Sequence, residues 1–419
     1  MATNSILTPT IITREALRIL HSKLSFVGSV NRSYDDRFAS SGGKIGNTLN
    51  VRLPAKYKAR KTASYSAQNY VERSTPVVMA SQYGVDVSFT SQELTLSLDD
   101  FSKRVLVPAV SQLAAEIEGD ALAKAFKSVA NFVGTTSTTM TYRQFAQGGQ
   151  VLSENLASPG GRIAQLNPLS RVEFLDATKG LFHDSNAIKE QFKEGMMGRT
   201  SGFDVYENTL IPSFTAGTLA GTPLTTGANL GVSATTHTWA ATTNVDIDGA
   251  TSGTTLLAGD VVTFGTLAAG LVDCHPETKA SYGKLKKFVV TADATVVTAG
   301  TATVTVSPAL IYGSGNAYQN CIRTKSDTDN MTVTLWSAAG STFGQNLQYD
   351  PDAFTAVFAD LEDVSKYGSW GSRQTMDGIS MRTARQYDLA NDAFPCRIDV
   401  LWGFAPLYPE LAVKSIHTL

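Results

Sequence analysis

Cysteine is scarce in this 419-residue chain. Cys274, Cys321 and Cys396 are scattered and odd in number, which excludes a disulfide framework and points to a reducing compartment. Long apolar runs are missing too. None approaches the roughly 18 residues of a membrane span, and the start Met1-Ala2-Thr3-Asn4-Ser5 has no basic stretch ahead of an apolar core, so neither a signal segment nor a membrane partner is expected. Charge is sparse: 17% of residues are charged and the formal net charge is -2, whereas an average globular domain carries about 25%. A nucleic-acid reader usually shows a basic domain or stripe. Here the one dense cationic run is Lys56, Lys58, Arg60 and Lys61, so net charge does not choose the partners.

Catalytic equipment is equally thin. The five histidines, His21, His183, His237, His275 and His417, have no partner at a metal-ligand spacing, and no Gly-x-Ser-x-Gly elbow occurs. Cys274-His275 adjoin, with Cys321 in the same stretch, but without paired spacings they read as loop polar residues and not as a zinc site. The glycine-rich run 195–203 lacks the Gly-Lys-Ser/Thr ending that would hold phosphate and magnesium, so it reads as a turn before a strand. The sequence thus points to no enzyme, metal or cofactor.

What is present is a mixed pattern. Thr13 is placed to cap a short amphipathic helix carrying Leu17, Leu20 and Leu24. Residues 25 to about 44 lose periodicity and read as an arm that cannot bury itself alone. Leu49, Val51 and Leu53 alternate until Pro54, and Val85, Val87 and Phe89 alternate again after a long polar stretch. Together they predict an extended hairpin with the cationic run near its tip. From Ser97 a strong helical signal follows: Val110, Leu113, Ile117, Ala121, Leu122, Phe126 and Val129 form one apolar stripe, and Pro108 should start or kink the helix. Leu113, Ile117 and Phe126 are its expected core. Further helices are predicted over 142–156 and 170–182, with a strand over 162–166 between them.

Between about 214 and 341 the composition shifts to short β-branched runs separated by Gly, Asn, Asp and Thr turns, the pattern of a small all-β barrel or sandwich. Trp239, Phe264, Phe288, Val290, Val304 and Trp336 are its candidate core, and its charged stretches offer Asp273, Glu277, Lys279, Lys284, Arg323 and Lys325 as surface contacts. Strands over 379–385 and 397–404 and near 411–416 follow. The fold class is α+β, a body interrupted by an inserted β domain.

These elements, in this order, resemble the major coat proteins of tailed phages, whose fold is shared with herpesvirus shells, and more narrowly the phage P-twenty-two-type coat family. The resemblance is carried by Val30-Asn31-Arg32-Ser33-Tyr34-Asp35, by 85–96 running into Asp99-Asp100-Phe101, by 195–207, by Asn346-Leu347-Gln348-Tyr349-Asp350-Pro351-Asp352-Ala353-Phe354, and by 397–404 with Pro409-Glu410-Leu411-Ala412-Val413. It implies an N-terminal helix and arm over 1–43 and an extended hairpin, the E-loop, over 44–90. A spine helix, a peripheral domain and the first part of an axial domain then fall in 91–213, the inserted β domain in 214–341, and the return to axial and peripheral domains in 342–419. The implied function is a self-assembling capsid protein of hexamers and pentamers around double-stranded DNA, made in the host cytoplasm. Scaffolding and portal proteins are the implied assembly partners, with DNA touched non-specifically on the inner face. The cationic run and the six charged residues of the insert are then candidates for subunit contacts. The last asparagine, Asn391, lies well before the C-terminus, so no tail cross-link to the hairpin lysines is expected. The competing reading, a surface-layer or tail protein built on β modules, suits the Thr-rich strands and low charge but not the long helix.

Overall fold

The computed structural model describes residues 9–32, 48–65, 67–68, 72–79, 81–90, 106–178, 199–227, 230–232, 238–367 and 370–419. Most of the expected arm, residues 33–47, lies outside them, as does the approach to the spine helix, 91–105. The chain divides into two units, one of Met1–Val51, Thr75–Leu122 and Phe354–Leu407, the other of Arg52–Ser74, Ala123–Ala353 and Tyr408–Leu419.

In the first unit, a five-stranded antiparallel sheet joins Phe354–Ala359, Ala393–Pro406, Ile379–Arg385 and Trp370–Met376 in that order, with Ser81–Thr90 also on Ala393–Pro406. Alternation puts Ile398, Val400, Trp402 and Phe404 on one buried face. Phe354, Phe404 and Phe26 meet there with ring centroids 5.7 to 6.1 Å apart. The helix Pro9–Lys23 begins four residues before Thr13, the expected cap, which lies inside it and is buried with Leu17 and Leu20, its hydroxyl meeting that of Ser372 at 2.7 Å.

Two expectations fail in this unit. The strand carrying Val85, Val87 and Phe89 does not return the hairpin; it pairs with Ala393–Pro406 over ten residues. The strand that pairs with Thr48–Leu53 is Arg73–Val78, so the hairpin is shorter than its alternation suggested. A period of two identifies a strand but not its partner. The arm also does not begin at Ser25. Residues 26–29 form a helical turn with Phe26 and Val27 fully buried, held by Glu118 as described below. Two apolar residues in one turn leave no periodicity to detect.

The spine helix is described over Val107–Ser128, with Pro108 in its first described turn. Leu113, Ile117 and Phe126 are all buried, at 2%, 0% and 3% exposure.

The second unit carries a seven-stranded mixed sheet in the order Phe132–Gly134, Ala412–His417, Thr342–Tyr349, Arg162–Leu166, Phe203–Glu207, Arg199–Thr200, with Phe214–Thr215 also on Thr342–Tyr349. The helix Tyr142–Glu154, capped by the Thr141 hydroxyl, and the helix Pro168–Thr178 bring Phe145 and Phe174 together, and Phe145 also meets Phe203 of the sheet. In the same unit, residues 214–341 form a six-stranded antiparallel sheet ordered Val333–Leu335, Val261–Phe264, Phe288–Val290, Ala302–Ser307, Thr243–Ala250, Gly221–Thr226. Its two edges are bridged: Leu224 opposes Thr332, the Thr225 N–H donates to Met331 O, and the Asn330 N–H donates to Thr225 O. A three-stranded sheet of Ser281–Leu285, Leu271–Cys274 and Cys321–Arg323 accompanies it. Val245, Ile247, Phe264, Phe288, Val290, Val304 and Val306 fill the core between these strands. Trp336 is not part of that core; it is 45% exposed and packs edge-on against Phe132 of the seven-stranded sheet. Trp239 lies in a separate small cluster with Ala309, Ile311 and Tyr318.

Candidate subunit interface

Pro54 ends the first hairpin strand, and the following run 55–65 holds four cations and no carboxylate. Lys58, Arg60 and Lys61 stand exposed, with Tyr57 and Tyr65 beside them at 63% and 85% exposure. The root of the tip is less open. Lys56 is half-buried, its N–H donates to the Tyr318 hydroxyl at 3.2 Å, and burial lowers its pKa below the usual lysine value. The Lys58 ammonium donates to Ser314 O at 2.7 Å. Arg73, on the return strand, donates to Pro54 O at 2.8 Å and lies over the Tyr318 ring, 5.4 Å from its centroid. The tip therefore rests on loop 314–319 of its own chain, where the sequence suggested ordering mainly by neighbours.

Of the six charged residues singled out in 214–341, only Glu277 is exposed; the others are half-buried and engaged within the chain. Lys284 pairs with Glu154 at the end of the helix Tyr142–Glu154. Asp273 takes the ammonium of Lys286 at 3.0 Å, a lysine the sequence reading passed over. Lys279 donates to Gln319 O at 2.9 Å, Arg323 lies over the Tyr312 ring at 4.6 Å, and Lys325 donates to Asp329 O. His275 accepts the N–H groups of Glu277 and Thr278 on Nδ1, which closes a turn. The thiols of Cys274 and Cys321 are pushed up in pKa by burial.

Three buried polar groups had no sequence signal. Glu118, on the spine helix, is 2% exposed; its carboxylate accepts from the N–H groups of Phe26 and Val27 and from the Ser25 hydroxyl, while burial raises its pKa. Lys414 is 5% exposed, donates to Gly259 O at 2.9 Å, and is lowered by burial to about 8. It lines a small surface cleft with Phe132, Phe214, Trp336, Phe343 and Asp260. His417, fully buried among Asn167, Ser170 and Asn346, is lowered by desolvation and so is held neutral. A Glu in a helical stripe or a Lys in a strand signals burial only through the neighbours that satisfy it.

These charged groups cap carbonyls, pair within the chain or stand in solvent at a hairpin tip. The model of the P22 coat protein family, gene protein 5, matches residues 1–415, and the chain belongs to that family. It is a structural major capsid protein of a bacteriophage and a component of the virion, which sets aside the surface-layer and tail-protein readings. Similar solved structures include Mycobacterium phage Che8 (9% identity, TM-score 0.48, 94% of this chain and 90% of that one). The mature capsid of bacteriophage PhiM1 is similar at 11% identity and TM-score 0.44, over 89% and 82% of the two chains. The virus-like particle from Pyrococcus furiosus is similar at 8% identity and TM-score 0.40, over 96% and 97%. No curated protein matches the chain by sequence. Membership rests on the family match, which runs through almost the whole chain.

Proposed function

We propose that the chain assembles into hexamers and pentamers of an icosahedral head enclosing double-stranded DNA. Scaffolding and portal proteins join during assembly in the host cytoplasm, and DNA is touched non-specifically on the inner face. The observation that carries this reading is the family match over residues 1–415 in a chain whose hairpin tip leaves Tyr57, Lys58, Arg60, Lys61 and Tyr65 open to solvent. Exposed aromatic and cationic residues side by side are what a subunit contact uses. We assign the interface role first to Lys58, Arg60 and Lys61, and next to Glu277. Lys56, Asp273, Lys279, Lys284, Arg323 and Lys325 act at its border, through the segments they hold in place.

The domain reading follows the same lines. Residues 48–78 serve as the E-loop, 81–213 and 342–419 as the peripheral and axial domains, and 214–341 as an inserted β barrel whose edge strands Val333–Leu335 and Gly221–Thr226 are bridged where Leu224 opposes Thr332. Electron microscopy of the expressed chain tests the assembly: closed icosahedral shells are expected, and flat lattices, tubes or monomers under conditions that assemble related coats would overturn it. Replacing Lys58, Arg60 and Lys61 together by Ser is expected to leave the melting transition in place and to lower shell yield. Normal yield at physiological salt would remove the tip from the interface.

A further inference from the structure

Around loop 314–319, cations from three chain segments converge. Lys56 and Lys58 come from the hairpin tip, Arg73 from the returning strand, and Lys279 from the turn that follows Leu271–Cys274. Lys58 and Lys279 each donate to a carbonyl of that loop, Ser314 O at 2.7 Å and Gln319 O at 2.9 Å. Lys56 reaches the same loop through its N–H on Tyr318, whose ring also carries Arg73. No carboxylate lies within ion-pair distance of any of the four among the described residues; their side-chain acceptors there are neutral backbone carbonyls. Glu277 and Glu410 act on Lys56 at longer range, as do the cations Arg73 and Lys286.

We propose that this cluster is an oxyanion site that takes a phosphate group and through it ties the hairpin tip to the β segment. Four cations against two distant carboxylates leave about two uncompensated positive charges, which a phosphate carrying about -1.5 to -2 near neutral pH matches. Half-burial strengthens the attraction, because charges out of bulk water are screened less. Lys56 and Lys279 fit the assignment. Burial presses both down, Lys56 with Arg73 and Lys286 adding repulsion and Lys279, to about 8, with Lys56 and Lys58 adding it, and an anion among them relieves that repulsion. The oxyanion can be one free inorganic phosphate or two adjacent phosphodiesters of a nucleic-acid backbone, each carrying about -1, since the recognising chemistry is the same. The inference concerns the unassembled chain and does not depend on shell formation.

Limited trypsin digestion of the full-length, unassembled chain tests it, because the exposed Arg60 and Lys61 report opening of the tip. Cleavage there is followed by mass spectrometry in inorganic phosphate, in a short DNA duplex, and in sodium chloride of matched ionic strength. Phosphate at about ten times its dissociation constant should slow cleavage about tenfold, since protection follows the population of the open tip. In Lys56→Met and Lys279→Met the ratio of rates with and without phosphate should fall to near one, while Lys366→Met, remote in the chain, keeps it. Protection by the duplex but not by free phosphate assigns the oxyanion to a nucleic-acid backbone. Equal protection by chloride, no protection in any arm, or an undiminished ratio in both lysine variants overturns the site.

Discussion

The two largest sheets of the second unit bury opposite kinds of residue. In the six-stranded sheet of 214–341 the interior is Val245, Ile247, Val262, Phe264, Phe288, Val290, Val304 and Val306. Its outward positions carry Asn244, Asp246, Thr303 and Thr305, which pair across the surface. In the seven-stranded sheet, Ala412–His417 is buried at all six positions, Lys414, Ser415 and His417 among them, and Thr342–Tyr349 buries Gln345, Asn346 and Gln348. A strand covered on both faces has no polar side to alternate with. Most of its buried polar atoms find a partner: Gln144 Nε2 donates to Ile416 O at 2.6 Å, Gln348 Nε2 to Phe145 O at 3.1 Å, and Asn346 accepts the Asn167 N–H at 2.8 Å, while Gln348 Oε1 and Gln165 Oε1 have none. One sheet is held by area buried, the other by geometry met.

The largest expected effect is on the apolar side. Phe288→Ala should cost about 3 to 5 kcal/mol in urea unfolding, the transfer loss of the ring plus the cavity left behind. Phe288 is fully buried and its ring lies 5.3 Å from that of Phe264. A shift of the unfolding midpoint within error of wild type would mean that this core is not holding the segment together.

Next comes the polar side, at Gly148. It lies inside the helix Tyr142–Glu154, where Ala is normally better than Gly by about 1 kcal/mol. Here a Cβ would meet Gln348 Oε1 at 1.5 Å, and that amide is pinned by its bond to Phe145 O. Gly148→Ala is therefore expected to destabilise by about 1 to 3 kcal/mol, as overpacking does. A stabilised variant would show that the amide moves freely and that the polar sheet tolerates error.

A smaller, pH-dependent effect belongs to Lys414. Burial holds it at about 8 against the usual 10.5, so between those values the native chain binds fewer protons than the unfolded one. Stability then rises with pH across that window, and the cost of the buried charge is felt in full below it. Lys414→Met should be at least as stable as wild type near neutral pH and lose this advantage as pH climbs to about 10.5. Urea midpoints of the two proteins across the window check the sign. A constant deficit in the variant would show that the bond to Gly259 O outweighs the charge.

The same contrast explains what could be read in the sequence. Where apolar residues alternate or recur at helical spacing against polar neighbours, the element and its buried side were legible: Leu49, Val51 and Leu53 in the hairpin, Leu113, Ile117 and Phe126 in the spine helix, Phe264 and Phe288 in the β segment. Pairing was not legible, because Val85, Val87 and Phe89 look the same whether their partner is the hairpin or Ala393–Pro406. Nor was the fate of aromatic residues at a border: Trp336 ends a strand of the β segment yet sits on Phe132. The charged candidates fared worst. Lys284, Lys279 and Arg323 read as surface, but each finds an acceptor or a ring from a distant stretch of chain, and no local spacing encodes that.

The claim that an apolar core alone suffices for 214–341 is tested most directly by expressing that segment by itself and recording its amide NMR spectrum. The account predicts a dispersed spectrum and a cooperative melt, because the cluster around Phe264 and Phe288 is drawn wholly from residues 219–335. Phe214 and Trp336, which lose Phe343 and Phe132, should be the main sites of change. A random-coil or collapsed spectrum in native buffer would contradict it, and would mean that the bonds of Lys414 and Glu154 to this segment and of its Lys287 to Phe132 O, with the aromatic contacts beside them, are part of one indivisible fold.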